Sequence, residues 1–390
     1  MKQKDRFGPQ NTENVLSNLS IKEGQGYIID QFTQFYAAQG YQLFSPGGLV
    51  AEEDRSVIFT GATITPLKQY LVEGVPSPGI CMVQKSLRTK RLEEMTDLRV
   101  IPDWTHYFTM CGILAAPDRV DLVSSEAFDL LMNQLHVPRR HLLIEASSNG
   151  KDLSQPWKER GIEVIEDTQP AAYYQWGYGM PNIHGRGINL LLRFNEDDTY
   201  RDLGNVISIE DHHDRVLGYE FGFGLESLLS KMHGFKRPME ASIVSTIIPY
   251  KEGLMEKFAD TLVAAIVIYH HGVEPGRGRE RHILKKFVKG LSFLRRKMDI
   301  SCEQIEEWGS GFEMAEFMTD TNSASKLVAG VERYEQQLEK FVEYASNQAH
   351  AHRLRNDDMG QKLLIKLKTQ GENMGILPAE IEKVIQSVFR

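Results

Sequence analysis

Gly218-Tyr-Glu-Phe-Gly-Phe-Gly-Leu-Glu-Ser-Leu-Leu229 is the stretch on which the fold turns. Val216–Gly224 has the aromatic, alternating character of a strand, and Leu225–Met232 has the periodicity of a helix, so a strand runs through two glycines straight into a helix. Glycine at such a junction lets backbone approach a ligand closely, and the helix N-terminus favours an anion. Alone, the same pattern fits a tight turn packed in a core. Just upstream, Asn205–Ile209 is joined to Val216–Gly224 by the polar turn Glu-Asp-His-His-Asp (210–214), too short for a crossover helix, so the pair is antiparallel. Working outward, residues 41–240 alternate short strands with turns rich in Gly, Pro and Asp. The strands are Tyr41–Phe44, Ser56–Thr60, Gly79–Gln84, His141–Glu145, Ile162–Ile165, Gly187–Arg193 and the pair just named. Helices interrupt them at Ser124–Leu135 and Leu225–Met232, and a helix with Tyr27, Ile28, Phe32, Phe35 and Tyr36 on one face precedes them. The reading is an α+β domain around an antiparallel sheet flanked by helices.

After Pro249 the strand signals vanish. Amphipathic helices are predicted over Met255–His270, Glu280–Lys297, Cys302–Met318, Ser323–Gln348 and Met359–Lys368, with Pro378 opening a last one that ends at Arg390. The predicted division is a flexible segment over 1–23, the α+β domain over 24–245 and an all-α domain over 246–390. No apolar run approaches the ~20 residues of a membrane span; Leu262–Tyr269 is the longest. The first residues lack the apolar stretch of a secretory signal, and Cys81, Cys111 and Cys302 show no Cys-x-x-Cys spacing. A cytoplasmic protein with reduced thiols, no membrane partner and no zinc is expected. A net charge of −8 argues against a globally basic nucleic-acid binder but leaves room for a local patch. The oligomeric state is open.

Residues 84–93, QKSLRTKRLE, carry Arg88 out of a strand into a charged loop, and His106–Gly112 returns as a strand. An arginine projecting from a sheet suits a phosphate or carboxylate, because its planar fork donates two parallel bonds; a surface ion pair is the ordinary alternative. Taken in order, these pieces resemble the catalytic region of the alanyl-tRNA synthetases, a class II aminoacyl-tRNA synthetase family. Leu49–Lys68 resembles its first motif. Gln84-Lys-Ser-Leu-Arg-Thr89 with Leu92-Glu93 resembles the second, and Glu220–Ser227 the third. Thr105–Gly112 is similar to the family's HHTFFEMLGN segment, Gly204–Ser208 to WNLVF, and Gly272–Lys286 to a block of the helical half.

The resemblance implies an enzyme that activates alanine or another small amino acid with ATP and Mg²⁺ and passes it to tRNA or another acyl acceptor. On it, Arg88 contacts the α-phosphate and the substrate carboxylate. Glu93, His106, Gly222, Gly224 and Lys231 join the ATP site. Asn205, Val206, Glu220, Trp176 and Gly222 form the amino-acid pocket, with Glu220 in place of the family's aspartate for the substrate ammonium.

The departures are specific. Ser227 stands where the third motif has its phosphate-binding arginine, and Lys231, one helical turn later, is the candidate substitute. Thr109 and Ile113 replace a glutamate and an asparagine, Asp103-Trp104 replaces an Arg-His pair, and Arg277 falls on an asparagine that reads the acceptor stem. The family's zinc-binding editing pattern does not occur, so correction of mischarging in cis is not expected. Nine Lys or Arg fall within 276–300, and Arg277, Arg279, Arg281, Lys285, Lys286 and Lys289 are the candidate RNA-binding set; a solvated basic face is the plain alternative. Asp211-His-His-Asp214 reads as a solvated turn. Against the ligase stand a regulator that binds tRNA or an amino acid without catalysis, and an acyltransferase that starts from pre-charged aminoacyl-tRNA.

Overall fold

The computed structural model describes residues 15–51, 54–195, 198–249, 253–355 and 360–389. It divides into two compact units, one of residues up to Arg88 plus Asp103–Thr246, the other of Thr89–Pro102 plus Ile247 onward. The charged loop after Arg88 therefore groups with the helices rather than with the sheet it leaves.

The first unit begins with a single turn, Val15–Asn18, and then helix α1 (Ile21–Ala38), followed by β1 (Gln42–Leu43), the short α2 (Tyr70–Glu73), β2 (Gly79–Leu87) and β3 (Tyr107–Ala115). Next come α3 (Val120–Asp129), β4 (Leu142–Ala146), α4 (Lys151–Glu159), β5 (Glu163–Glu166), β6 (Gln175–Gly177), β7 (Ile183–Leu192), β8 (Arg201–Asp211), β9 (Val216–Gly224) and α5 (Leu225–Met232). The segment 15–23 is not loose, as the sequence had suggested. Leu16 is buried in the main core, and Ser20 and Glu23 form a reciprocal capping box that satisfies two orphan donors of α1. The first fourteen residues of that predicted segment lie outside the described residues.

The strands form one nine-stranded sheet in the order β1-β2-β3-β9-β8-β7-β4-β5, with β6 beside β7. Its centre, β2-β3-β9-β8-β7-β4, is antiparallel, and its two edges, β1-β2 and β4-β5, are parallel. The β4–β5 edge is parallel because α4 makes the crossover. That helix is invisible to a reading that treats Pro156, in its interior, as a breaker. Ser56–Thr60 does not form a strand; only an isolated bridge joins Phe59 to Val50. One face of the sheet is sealed by Ile28, Phe32 and Tyr36 of α1 against Val206, Phe221 and Phe223, with the Phe32 and Phe223 rings edge to face at 6.0 Å. Each such side chain contributes about 1.5–3 kcal/mol by leaving water. The opposite face carries a second apolar cluster, with Ile80, Met82, Leu114, Tyr178 and Ile207, and the residues considered next.

The second unit is helical: α6 (Leu254–His270), α7 (Arg279–Met298), α8 (Cys302–Phe317), α9 (Ser323–Arg355), α10 (Gly360–Asn373) and α11 (Pro378–Phe389). Every residue of α6 from Glu256 to Tyr269 is buried. Lys257 donates to the carbonyl oxygens of Glu94 and Asp97, 2.6 Å each, and so ties the Thr89–Pro102 segment into this unit. Tyr334 and Arg296 both donate to Glu380, and Arg295 to Glu335, which cross-links α7, α9 and α11. Among the described residues no helix is long and apolar enough to cross a membrane.

Candidate active site

The site lies in the first unit, where the ends of three central strands meet the start of α5. Close approach comes first. A side chain at Gly204 would put its Cβ 2.1 Å from the Gly222 carbonyl oxygen, so β9 can lie this close to β8 only with glycine at position 204, while one at Gly222 would meet the movable end of the Met110 side chain on β3 at 2.7 Å. In β8 the register against β7 passes from Leu190–Gly204 to Leu191–Asp202, leaving Leu203 as an extra residue. This bulge re-aims the strand so that Asp202 and Asn205, three apart, both line one pocket.

Arg88 forms the opposite wall. Its backbone N–H donates to the His106 carbonyl at 2.8 Å, and its guanidinium sits 4.5 Å over the Phe108 ring. The residue is solvent-exposed at the pocket while protein surrounds it on its other sides; burial lowers its pKa from the ordinary arginine value, and the Asp202 charge opposes that. Asp202 is raised by burial, opposed in turn by Arg88 and reinforced by Asp103. Asn205 donates its Nδ2 to Asn189 Oδ1 at 2.7 Å, which fixes its amide.

At the strand-to-helix junction Gly224 is the N-cap residue of α5, and Glu226 and Ser227 follow into the pocket. Glu226 is buried, and burial raises its pKa. It accepts from the Thr109 backbone N–H at 2.8 Å and from Thr109 Oγ1 at 2.9 Å. The threonine that replaces a glutamate of the resemblance therefore serves as donor to a carboxylate on the next element. Among the described residues Arg88 is the one basic side chain in the pocket lining, against Asp202 and Glu226.

The remaining candidates separate. Gly222 faces Asn205 across β9–β8. Glu220, two residues back on the same strand face, is buried, accepts from the Tyr178 hydroxyl at 3.2 Å, and has its pKa pushed up to about 7 by burial. Trp176 packs with Tyr178 in the cluster on that face. Val206 points the other way, into the main core. His106 is buried with its ring 4.8 Å from Trp104, which does line the pocket. Lys231 is buried with its ammonium 2.5 Å from Asp198, and neither residue is in the pocket lining.

Glu93 belongs to the second unit, exposed on the short turn Leu92–Thr96. So do Arg277, Arg279, Arg281, Lys285 and Lys286, all exposed at and before the N-terminal half of α7, with Lys289 half-buried behind them. Sequence reasoning missed Asp202 and Glu226 as site residues. Glu226 had a signal in its position within the third motif; Asp202 had none, since only the bulge brings it round.

No family model matches the sequence. It is 20% identical over 320 residues to the alanine–tRNA ligase of Desulfitobacterium hafniense (strain Y51), covering 71% of this chain and 36% of that protein. The alanine–tRNA ligase of Rubrobacter xylanophilus (strain DSM 9941 / JCM 11954 / NBRC 16129 / PRD-1) is 23% identical over 318 residues, 66% of this chain and 35% of that one. That of Ureaplasma parvum serovar 3 (strain ATCC 27815 / 27 / NCTC 11736) is 18% identical over 405 residues, 89% and 44% respectively. The chain thus spans between a third and a half of the length of these curated relatives. Among solved structures, an aspartyl tRNA synthetase from Entamoeba histolytica superposes with a TM-score of 0.35 and 12% identity, covering 62% of each chain.

Proposed function

The chain is a divergent homologue of the alanine–tRNA ligases, and on that premise we propose that it condenses a small amino acid with ATP to the aminoacyl-adenylate and passes the acyl group to a tRNA or another acceptor. The observation that carries this reading is one pocket with a guanidinium, Arg88, across from a carboxylate, Asp202, and an oriented amide, Asn205. A free amino acid is a carboxylate and an ammonium on one carbon, and such a wall complements both. A cavity of about 90 Å³ suits a small side chain; it is below the ~150 Å³ that holds benzene.

In the proposed step the substrate carboxylate oxygen attacks the α-phosphorus of ATP, the new O–P bond forms, and the bond to the pyrophosphate oxygen breaks with pyrophosphate leaving. Negative charge builds on the α-phosphoryl oxygens, and Arg88 is the side chain in the lining able to neutralise it. Mg²⁺ bound with the triphosphate supplies further charge neutralisation. Asp202, across from Arg88 in the same lining, takes the substrate ammonium.

Amino-acid-dependent ATP–pyrophosphate exchange, with alanine, glycine, serine and the remaining amino acids in parallel, tests the proposal. Exchange with one small amino acid supports it. Absence of exchange with every amino acid, from folded protein with Mg²⁺ present, sinks it. One observation favours a second reading in that event. Ser227 lines the pocket where the resemblance has a phosphate-binding arginine, and among the described residues Arg88 is alone there as a cation, which suits acyl transfer from an already activated donor.

A further inference from the structure

We propose that Asn189 and Glu145 are positioning residues: they set the direction of a polar row that crosses three strands and ends in the pocket as an acceptor for the substrate ammonium. The inference rests on the adenylation reading and adds to it two residues outside the pocket lining.

The sheet register lays the row out. Gly222 on β9, Asn205 on β8, Asn189 on β7 and Glu145 on β4 stand opposite one another in turn, so Asn205, Asn189 and Glu145 share one face. Asn205 lines the pocket, Asn189 stands behind it with 6% exposure, and Glu145 is partly exposed beyond. Two asparagines facing each other in adjoining strands do little for stability, since asparagine is a weak strand former and burying an amide is costly. Apolar β-branched residues would serve the sheet better; the pair serves the pocket.

An amide has a donor end and an acceptor end, so each contact in the row decides which end is left for the next residue. Glu145 is acceptor only when ionised, and its side chain makes no hydrogen bond or ion pair among the described residues. A carboxylate there attracts the Nδ2 end of the Asn189 amide. Asn189 Oδ1 is then left for β8, where it accepts from Asn205 Nδ2 at 2.7 Å. This turns the Asn205 amide so that its Oδ1, which has no donor among the described residues, is the end left for a ligand. With Asp202 it gives the pocket two acceptors for the N–H groups of an ammonium. A reversed row would present N–H groups to the ammonium and repel it. Burial raises the Glu145 carboxyl above its ordinary range, and the charges of Asp167 and Asp202 add to this, so the far end of the row is within electrostatic reach of the pocket wall.

Calorimetric titration of two sulfamoyl analogues into the full chain tests this: that of alanyl-adenylate, and its propionyl counterpart, which lacks only the amine. The parent should bind the alanyl analogue at least about tenfold tighter. Asn189→Leu, which removes the acceptor, should weaken the alanyl analogue about fivefold to tenfold and the propionyl one less than about twofold. A merely loosened site would weaken both alike. The exchanged pair Glu145→Gln/Asn189→Asp keeps one amide and one carboxylate and restores the direction. It should bind the alanyl analogue within about threefold of the parent. Glu145→Gln alone, at the partly exposed end, should weaken the alanyl analogue selectively by about threefold, and it carries the test if leucine at 189 does not fold. Equal loss of both analogues in the single variants, loss of neither, or a parent that binds the two alike would overturn the proposal. Pyrophosphate exchange separates the two levels. Exchange by the parent beside any of those results leaves the adenylation reading standing, whereas selective loss without exchange supports the row and removes that reading.

Discussion

Arg88 and Lys231 carry the same charge and the same expectation, yet the fold treats them oppositely. Arg88 leaves the end of β2 and stands at the pocket with Asp202 across from it. Lys231 sits in the last turn of α5, buried, with its ammonium on Asp198. A cation already held in a buried pair is not available to a phosphate, because moving it strands the partner carboxylate. The same division runs along α7. Arg295 and Arg296 are bound to Glu335 and Glu380, whereas Arg281, Lys285 and Lys286 are exposed, and stacking like charges at a helix N-terminus is unfavourable without an anion to meet them.

The comparison is broken most readily at Arg88. Arg88→Ala should lower exchange by about 10²–10³, some 3–4 kcal/mol of transition-state stabilisation, with little change in thermal stability; retention of wild-type turnover would end its assignment. Glu220 gives the next effect. Its folded pKa of about 7 exceeds the ordinary 4.5, so between those values the folded state holds a proton that the unfolded state has lost. Stability should therefore fall by about 3 kcal/mol as pH rises from about 4.5 to 7 and flatten above. Denaturant melts across that range check this, and Glu220→Gln should remove the slope.

Lys231→Ala should do the reverse of Arg88→Ala. Leaving Asp198 without its partner should cost about 2–3 kcal/mol, less than the ~3–5 kcal/mol of a fully buried pair because Asp198 keeps 29% exposure. Exchange per folded molecule should stay within about threefold; a larger loss would return Lys231 to the phosphate site. The smallest effect is expected from Arg277→Ala/Arg279→Ala/Arg281→Ala. On the RNA reading of α7 this variant flattens the salt dependence of tRNA binding by up to about three charges and leaves exchange untouched. Binding of tRNA that cannot be measured at low salt in the parent would remove that reading.

What the sequence could and could not announce follows the same line between local and long-range causes. The β9–α5 junction was legible at Val216–Met232 because alternation, two glycines and helical periodicity are all local signals. So were the helices after Pro249, from Leu254–His270 to Ser323–Arg355. The bulge at Leu203 that turns Asp202 toward Arg88 leaves no such mark; it is set by the pairing of β8 with β7. The bond of Lys231 to Asp198, thirty-three residues away, depends on chain reversal that no window contains. Helix α4 was hidden by Pro156, which the helix tolerates, and the grouping of Thr89–Pro102 with the helical unit rests on Lys257, more than 150 residues distant in sequence.

The central claim is that Arg88, Asp202 and Asn205 together hold an aminoacyl-adenylate. Titration of a non-hydrolysable sulfamoyl analogue of alanyl-adenylate, by calorimetry, into the full chain and into Arg88→Ala addresses it most directly. The account predicts one-to-one binding to the parent and at least about a hundredfold weaker binding to the variant, since a charged, bidentate contact is lost. Equal affinity in the two proteins, or no binding to the parent, would contradict it.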